Sequence, residues 1–327
     1  MVYISFLINT SLLAVFCFLN GCASLAFDHD LPRQAYIAEG NDELVRHMPI
    51  IVTEYPHRSY NRIGRPEAYI TGGQVRLKVD PQAAVVYAEE RHFRTDNDSY
   101  TNLVYRIHFQ NVPFSLLPFN LTMGRNVGLL LIVTLNAQQQ PVLFTTVHTC
   151  GCYLAIVPTN YLPRSAYPEG WHAGTQNVYG AELPALLKFD NPDDEERIVV
   201  YLRDETHRVI RQDIATAAEI ASSYSTYPVS VQPVSVLDAL PVAEGDREIS
   251  MFETQGPRRG YVRDSYKPFE FLFMSWWSLD SRVGNDKRYG KQDTQSPVFY
   301  TSLKPWARQE SDMRDFDAFL RYWGWHL

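Results

Sequence analysis

The sequence predicts an α+β fold with a mainly antiparallel β-sheet core and peripheral helices, including a C-terminal amphipathic helix. Several short segments, such as 75–79 and 103–109, alternate apolar and polar residues with the period of a half-buried strand. Clusters of proline, glycine and asparagine separate these segments, whereas helical spacing is confined to a few stretches. The chain has 327 residues, of which 45% are hydrophobic, so it can bury a sizeable core.

The N-terminal segment has the character of a secretory signal peptide. Residues 1–21 contain no charged side chain, and the stretch 6–19 is largely apolar. The segment runs into the tetrapeptide LNGC, which ends at Cys22 and resembles the lipobox of bacterial lipoproteins. The resemblance implies cleavage after residue 21, followed by attachment of a diacylglyceryl group and a further acyl chain, such as palmitate, to Cys22.

The same resemblance implies where the protein resides. Acyl chains on Cys22 would anchor a folded domain to a membrane without a spanning helix. Ala23 stands where an aspartate would signal retention in the inner membrane, so the resemblance implies the periplasmic side of the outer membrane in a cell that has one. An ordinary signal peptide or an uncleaved N-terminal anchor is the alternative. A net charge of −7 without a large basic block argues against nucleic acid as a partner.

We expect three parts along the chain: a signal peptide over 1–21, a tether with a short helix over 22–48, and a single α+β domain over 49–327. Prolines with alternating valine and serine make the stretch near 227–245 a candidate boundary for subdividing that domain. Alternating or apolar runs before the central hairpin predict strands, and these lie at 50–53, 75–79, 83–88 and 103–109.

A β-hairpin is the centre of the predicted sheet. Its first strand, 127–135, is an unbroken apolar run that is too short to span a membrane and rich in branched residues. A polar turn follows at 136–140, and Pro141 opens the return strand, where a missing N–H does least harm. The hairpin is therefore expected in the interior of the sheet.

After the hairpin, the sequence predicts helices at 182–187 and 212–223 and a strand at 198–202. The segment 268–279 predicts a helix that is apolar nearly all round, and we expect its aromatic side chains to pack in the core in preference to contacting lipid. Ser311 is the expected N-cap of a final helix. Apolar residues at helical spacing follow this cap, namely Met313, Phe316, Phe319, Leu320 and Trp323.

The return strand of the hairpin carries three reactive side chains, His148, Cys150 and Cys152, which period-2 geometry places on one face. Imidazole and thiolate ligands favour zinc or copper, so these residues are candidate metal ligands. Same-face neighbours on a strand are about 6.6 Å apart, so one ion can bind all three only if the strand bends, and Gly151 is where a bulge would form. His108, on the preceding strand, is the first choice for a further ligand.

Two other interpretations of the cysteines remain open. A Cys-x-Cys disulfide would lie at the limit of the Cα separation that a disulfide accepts, and such strained bonds are easily reduced. Alternatively, both cysteines are buried core residues and His148 is a hydrogen-bonded structural histidine. Asp280, Asp286 and Lys287 could form the edge of a polar pocket, although a loop after the aromatic helix also explains them.

The sequence thus predicts a membrane-anchored lipoprotein of the cell envelope that binds a ligand or partner and offers a candidate metal site. The alternative is an envelope enzyme, either a metal-assisted hydrolase or a thiol redox protein, that uses His148, Cys150 and Cys152. The chain contains no nucleophile elbow, zinc-protease motif, phosphate-binding loop or dinucleotide-binding motif. The sequence by itself therefore does not decide whether the protein is an enzyme.

Overall fold

A computed structural model describes residues 27–172, 174–190, 195–242, 246–292 and 296–327. The signal segment and Cys22 lie outside the described residues. Strands account for 41% of the structure and helices for 16%, which confirms an α+β fold with a β-dominated core.

Most of the strands of the described residues belong to two sheets. In chain order the strands are β1 Arg33–Ile37, β2 Ile50–Glu54, β3 Arg65–Thr71, β4 Gln74–Asp80, β5 Val85–Arg94, β6 Ser99–Val112, β7 Gly124–Leu135, β8 Pro141–His148, β9 Ala155–Pro158, β10 Thr175–Val178, β11 Ala181–Pro184, β12 Glu196–Leu202, β13 Val209–Thr216, β14 Ser225–Pro228, β15 Ser230–Pro233, β16 Leu240–Pro241 and β17 Glu248–Ile249. The α-helices of the same residues are α1 Glu43–Arg46, α2 Ala217–Ser223, α3 Pro268–Ser278 and α4 Phe316–Tyr322. One sheet has six strands in the order β15-β5-β6-β7-β8-β9, and another has five in the order β13-β12-β2-β1-β14.

Strand β7 lies inside the six-stranded sheet, antiparallel to β6 on one side and to β8 on the other. Leu129 and Leu131 face a core that is shared with the five-stranded sheet. Leu130 and Ile132 face a second core, which includes residues of α4. Because both faces are buried, this segment is an unbroken apolar run without alternation. The antiparallel pairing of β7 with β8 confirms the predicted hairpin.

The N-terminal boundary of the fold differs from the expectation. Arg33–Ile37, which we assigned to the tether, forms β1 of the five-stranded sheet and pairs with both β2 and β14. Ala35 and Tyr36 are buried in two different cores, so a tether through residue 48 is wrong for this strand. The predicted short helix is confirmed as α1, where the Asp42 side chain accepts a hydrogen bond from the Leu44 backbone N–H at 2.8 Å.

The first described residues of the candidate boundary near 227–245 take part in both sheets. Strand β14 pairs in parallel with β1 of the five-stranded sheet. Strand β15 begins two residues after β14 ends and pairs in parallel with β5 of the six-stranded sheet. One extended segment therefore joins both sheets, and the residue between the two strands, Val229, is buried in their shared core.

Part of the predicted helical content is strand. The segment 182–187 begins within β11, which forms a hairpin with β10. The first part of 212–223 belongs to β13, because its pairing with β12 outweighs the local preference for a helix. Helix α2 starts only after Thr216, whose side chain forms a capping box. Asp315, rather than Ser311, caps the final helix α4.

Helix α3 is confirmed, but its predicted packing is wrong. Glu270 and Ser278 are buried, whereas Leu272 and Trp276 are 61% and 73% exposed. A helix of this composition is expected to bury its apolar side chains, and here the carboxylate instead turns inward toward a cluster of buried charges. Among the described residues, no helix has the length and apolar character that crossing a membrane requires.

Leu131 is buried and Leu272 is exposed, so replacing each by alanine tests this packing. Replacement of Leu131 in β7 by alanine is expected to lower the free energy of unfolding by about 2–5 kcal/mol, because a fully buried side chain leaves a cavity. The matched change Leu272→Ala on α3 is expected to stay within about 0.5 kcal/mol of the wild type. Urea unfolding of both variants measures the difference, and equal losses would contradict the exposure of the α3 face.

Candidate functional site

The two cysteines lie in a tight reversal of the chain between β8 and β9. Strand β8 ends at His148, so the prediction that His148, Cys150 and Cys152 share one strand face is wrong. The Gly151 N–H donates to the His148 carbonyl at 2.7 Å, and the His148 N–H donates to the Cys152 carbonyl at 2.9 Å. Gly151 has φ +93°, and a Cβ there would lie 2.2 Å from the Tyr300 carbonyl oxygen, so only glycine fits this turn.

This reversal gathers the sulfur atoms with a carboxylate from α3. The Sγ atoms of Cys150 and Cys152 and one carboxylate oxygen of Glu270 all lie within 4.8 Å of one another. The Cys152 thiol donates a hydrogen bond to Glu270 Oε1 at 3.6 Å. Both cysteines are free thiols. We call these three residues the thiol–carboxylate cluster.

A buried set of charges surrounds this cluster. Lys267 Nζ lies 3.4 Å from Asp286 Oδ2 and 3.8 Å from Glu270 Oε2, and all three side chains are almost fully buried. Asp286 also accepts hydrogen bonds from the hydroxyl groups of Thr149, at 2.5 Å, and Ser265, at 2.8 Å. These contacts supply the pairing that a buried charge requires.

A second buried ammonium group, that of Lys287, contacts the backbone of the turn. Its Nζ donates to the Cys150 carbonyl at 3.0 Å and lies 3.6 Å from the centroid of the Tyr300 ring. A cation over an aromatic face is stabilised by the ring quadrupole. Lys287 therefore joins the backbone of the cysteine turn to the C-terminal part of the chain, and the polar edge that we considered for Asp286 and Lys287 is fully buried.

The local electrostatics shift the pKa values of the two thiols in opposite directions. Burial opposes ionisation of Cys150, but a Cys150 thiolate would accept the Cys152 thiol proton in place of Glu270, and this hydrogen bond and the charge of Lys267 lower the pKa of the Cys150 thiol. The same hydrogen bond, together with burial, holds the pKa of Cys152 well above its usual range. Burial also raises the pKa of the Glu270 carboxyl against the effect of Lys267. In this pair, Cys150 is the thiol that ionises first and Cys152 is the one that keeps its proton.

His148 and His108 are not part of the thiol–carboxylate cluster. His148 Nε2 donates to the His207 carbonyl at 3.3 Å, and burial holds the pKa of His148 well below its usual range. His108 Nε2 accepts a hydrogen bond from Arg106 Nε at 3.0 Å, and burial likewise holds its pKa low. The structure thus brings together Cys150 and Cys152 from the predicted ligand set, and it adds Glu270, which the sequence reasoning missed. The available signal was that Glu270 is the sole charged residue in an aromatic helix.

No protein-family model, curated protein or solved structure matches this chain. What the cluster can do follows from the chemistry of its own groups. Two thiolates and a carboxylate are suitable ligands for zinc, and thiolates also suit monovalent copper. Two adjacent thiols, one of them with a lowered pKa, are also suited to thiol–disulfide exchange.

Buried neutral histidines near the turn predict a loss of stability in acid. The His207 ring donates to the Tyr60 carbonyl at 2.8 Å and stacks on Phe109, and burial lowers the pKa of His207 to about 3. The unfolded chain binds this proton below about pH 6.5, whereas the folded chain does not, so folding stability is lost as the pH falls below that value. Between pH 7 and pH 5 this group alone is expected to account for a loss of about 2 kcal/mol.

The variant His207→Gln keeps an amide donor for the Tyr60 carbonyl but cannot titrate. Urea unfolding at pH 5, 7 and 8 should show that the fall in stability from pH 7 to pH 5 is smaller in this variant by about 2 kcal/mol. The interval from pH 7 to pH 8, where the unfolded histidine is also neutral, is the internal control. An unchanged pH dependence in the variant would contradict the burial of a neutral His207.

Proposed function

We propose that this protein is a membrane-anchored lipoprotein of the cell envelope that binds a soft metal ion, zinc or copper, through Cys150, Cys152 and Glu270. The observation that carries the proposal is the convergence of the three ligand atoms within 4.8 Å. Zinc bonds of about 2.0–2.3 Å place ligand atoms roughly 3.3–3.8 Å apart, so only a small contraction is needed. Glu270 Oε2 is buried without a hydrogen-bond partner, and its ion pair with Lys267 Nζ is long, at 3.8 Å.

The ligand set favours zinc over monovalent copper. Zinc accepts a carboxylate oxygen together with thiolate sulfur atoms, whereas soft thiolate and thioether ligands select monovalent copper. Because Glu270 offers a carboxylate oxygen within 4.8 Å of both sulfur atoms, zinc is the first candidate.

The envelope location is supported by the sequence around Cys22. The apolar segment and the LNGC tetrapeptide resemble a lipoprotein signal, and acylation of Cys22 would tether the domain to the outer membrane on its periplasmic side. In the mature protein, Cys150 and Cys152 would then be the remaining thiols, in an oxidising compartment.

Thiol redox activity is the second candidate function. The specific observation in its favour is that the turn places two free thiols side by side, with the pKa of Cys150 lowered. Oxidation would join the two Sγ atoms and transfer two electrons and two protons to a disulfide of a partner protein, which would become a dithiol. This route uses the same residues, but it requires that no metal occupies the thiolates.

Metal content tests the first candidate. The wild-type protein, purified under reducing conditions, is expected to bind one zinc ion per chain. Cys150→Ser and Cys152→Ser are expected to lose the metal, and Glu270→Gln is expected to bind it at least about tenfold more weakly, because each removes a ligand. His148→Gln is the matched control on the same turn and should retain the ion. Wild-type protein that holds no metal and gains no thermal stability from added zinc or copper would refute the proposal.

The state of the thiols distinguishes the two candidates. Bound zinc is expected to protect both cysteines from alkylation and to prevent disulfide formation in oxidised glutathione. A redox protein would instead lose two hydrogen atoms in mass on the same treatment and regain them with a reductant. Mass spectrometry of the intact chain with and without a chelator measures both outcomes.

Removal of the lipidated residue tests the anchor. Cys22→Ser is expected to abolish acylation and to move the protein from the membrane pellet to the supernatant after an alkaline carbonate wash. The wild type should stay in the pellet, and Cys17→Ser, a change inside the signal segment, is the matched control. Retention of the Cys22→Ser protein after that wash would contradict a lipid anchor at this residue.

A further inference from the structure

Helix α3 and a neighbouring loop present a continuous exposed apolar surface. We call it the aromatic patch and define it by Phe114, Leu116 and Leu117 of the loop together with Leu272, Phe273 and Trp276 of α3. Leu117 is 88% exposed, and the other five are at least half exposed. Phe119 joins the two parts, because its ring lies 5.0 Å from that of Phe269 and 6.0 Å from that of Phe273.

The aromatic patch is apolar in both of its parts, the loop and helix α3. The loop segment 113–123 contains no charged residue, and the carboxylate of α3 is on the buried side of the helix. The outward positions of α3 need no apolar residue for the fold, yet they hold phenylalanine, leucine and tryptophan. Contiguous apolar surface of this kind marks a site of contact with a partner or a membrane.

A short segment that is hydrogen-bonded to the end of α3 carries an exposed tryptophan and an exposed lysine. Arg308 donates to the Ser278 carbonyl at the end of α3 and stacks on Tyr300. Trp306, two residues before Arg308, is 77% exposed. Lys304 is exposed on the same short segment. Tryptophan prefers the interface between water and hydrocarbon, and cationic side chains are attracted to anionic lipid headgroups.

The path of the N-terminus places the predicted anchor at the same end of the molecule. The Phe27 ring lies 5.2 Å from that of Tyr201 in β12. The turn that follows β12 carries Glu205, whose carboxylate accepts a hydrogen bond from the Asn120 side chain at 2.8 Å, at the end of the patch loop. Four residues lie between Cys22 and Phe27, so the Cα atoms of these two residues are at most about 18 Å apart. An acyl chain on Cys22 would therefore hold this end of the domain close to the bilayer.

From these observations we infer that the aromatic patch inserts into the interfacial layer of the membrane that carries the lipid anchor. The inference depends on the proposed anchor for the orientation of the domain, and its occupant is a bilayer that contains anionic lipid. Glu270 lies on the opposite side of α3 from Leu272 and Trp276. Docking would thus place the thiol–carboxylate cluster roughly one helix diameter, about 10 Å, from the headgroup region.

Quenching of tryptophan fluorescence tests the contact. The acylated full-length protein is reconstituted in vesicles of phosphatidylethanolamine and phosphatidylglycerol with brominated acyl chains. Strong quenching is expected relative to vesicles without bromine, and the double variant Trp276→Phe/Trp277→Phe should lose much of it. Trp171→Phe removes a partly buried tryptophan of another region and is the matched control, so it should leave the quenching of the remaining residues unchanged.

The outcomes separate this inference from the proposed anchor. Protein that is acylated, as shown by mass spectrometry, and floats with the vesicles but shows no quenching would overturn the inference and leave the anchor intact. Protein that is not acylated but is still quenched would refute the anchor and support docking by the patch. Equal quenching in the double variant, or crosslinking that shows a second copy of the chain over the patch, would also overturn the inference.

Discussion

Burial of four charged side chains constrains the structure around the thiol–carboxylate cluster. Lys267, Glu270, Asp286 and Lys287 are at most 1% exposed, and each buried ion carries a desolvation penalty of several kcal/mol that pairing and hydrogen bonds must offset. The pairing comes from different parts of the chain: hydroxyl groups for Asp286, a backbone carbonyl and an aromatic face for Lys287, and a carboxylate pair for Lys267. These contacts hold α3, the segment after it and the cysteine turn in one arrangement, since loss of any partner would leave a charge uncompensated.

The same constraint explains the unusual orientation of α3. Glu270 must face the ammonium of Lys267, and the space beside it is available because Gly284 has no side chain; a Cβ there would lie 2.2 Å from Glu270 Oε2. With the polar side fixed inward, Leu272 and Trp276 are directed to the surface. Helix α3 therefore contributes its buried side to the thiol–carboxylate cluster, through Glu270, and its exposed side to the aromatic patch, through Leu272 and Trp276. The proposed metal site and the inferred membrane contact thus share this helix.

Some residues of the candidate site can be predicted from the sequence, and others cannot. Cys150 and Cys152 stand out by composition and spacing alone. Their arrangement was predicted incorrectly, because β8 ends at His148 and the backbone reverses at Gly151 with positive φ, which period-2 reasoning does not include. Glu270 was missed because it is 118 residues away from Cys152 in sequence, and no local pattern links the two.

The sequence by itself determined the α+β class, the β7–β8 hairpin, the existence of helix α3 and the position of the cysteine pair. Each follows from local period, apolar content or residue type, which act over a few neighbouring residues. Only the tertiary structure decided that Arg33–Ile37 joins a sheet, that Glu270 faces inward and that His148 and His108 lie outside the cluster. The reason is physical: strand pairing and charge compensation join residues far apart in the chain, and the cost of burying a charge depends on which partners the fold places beside it.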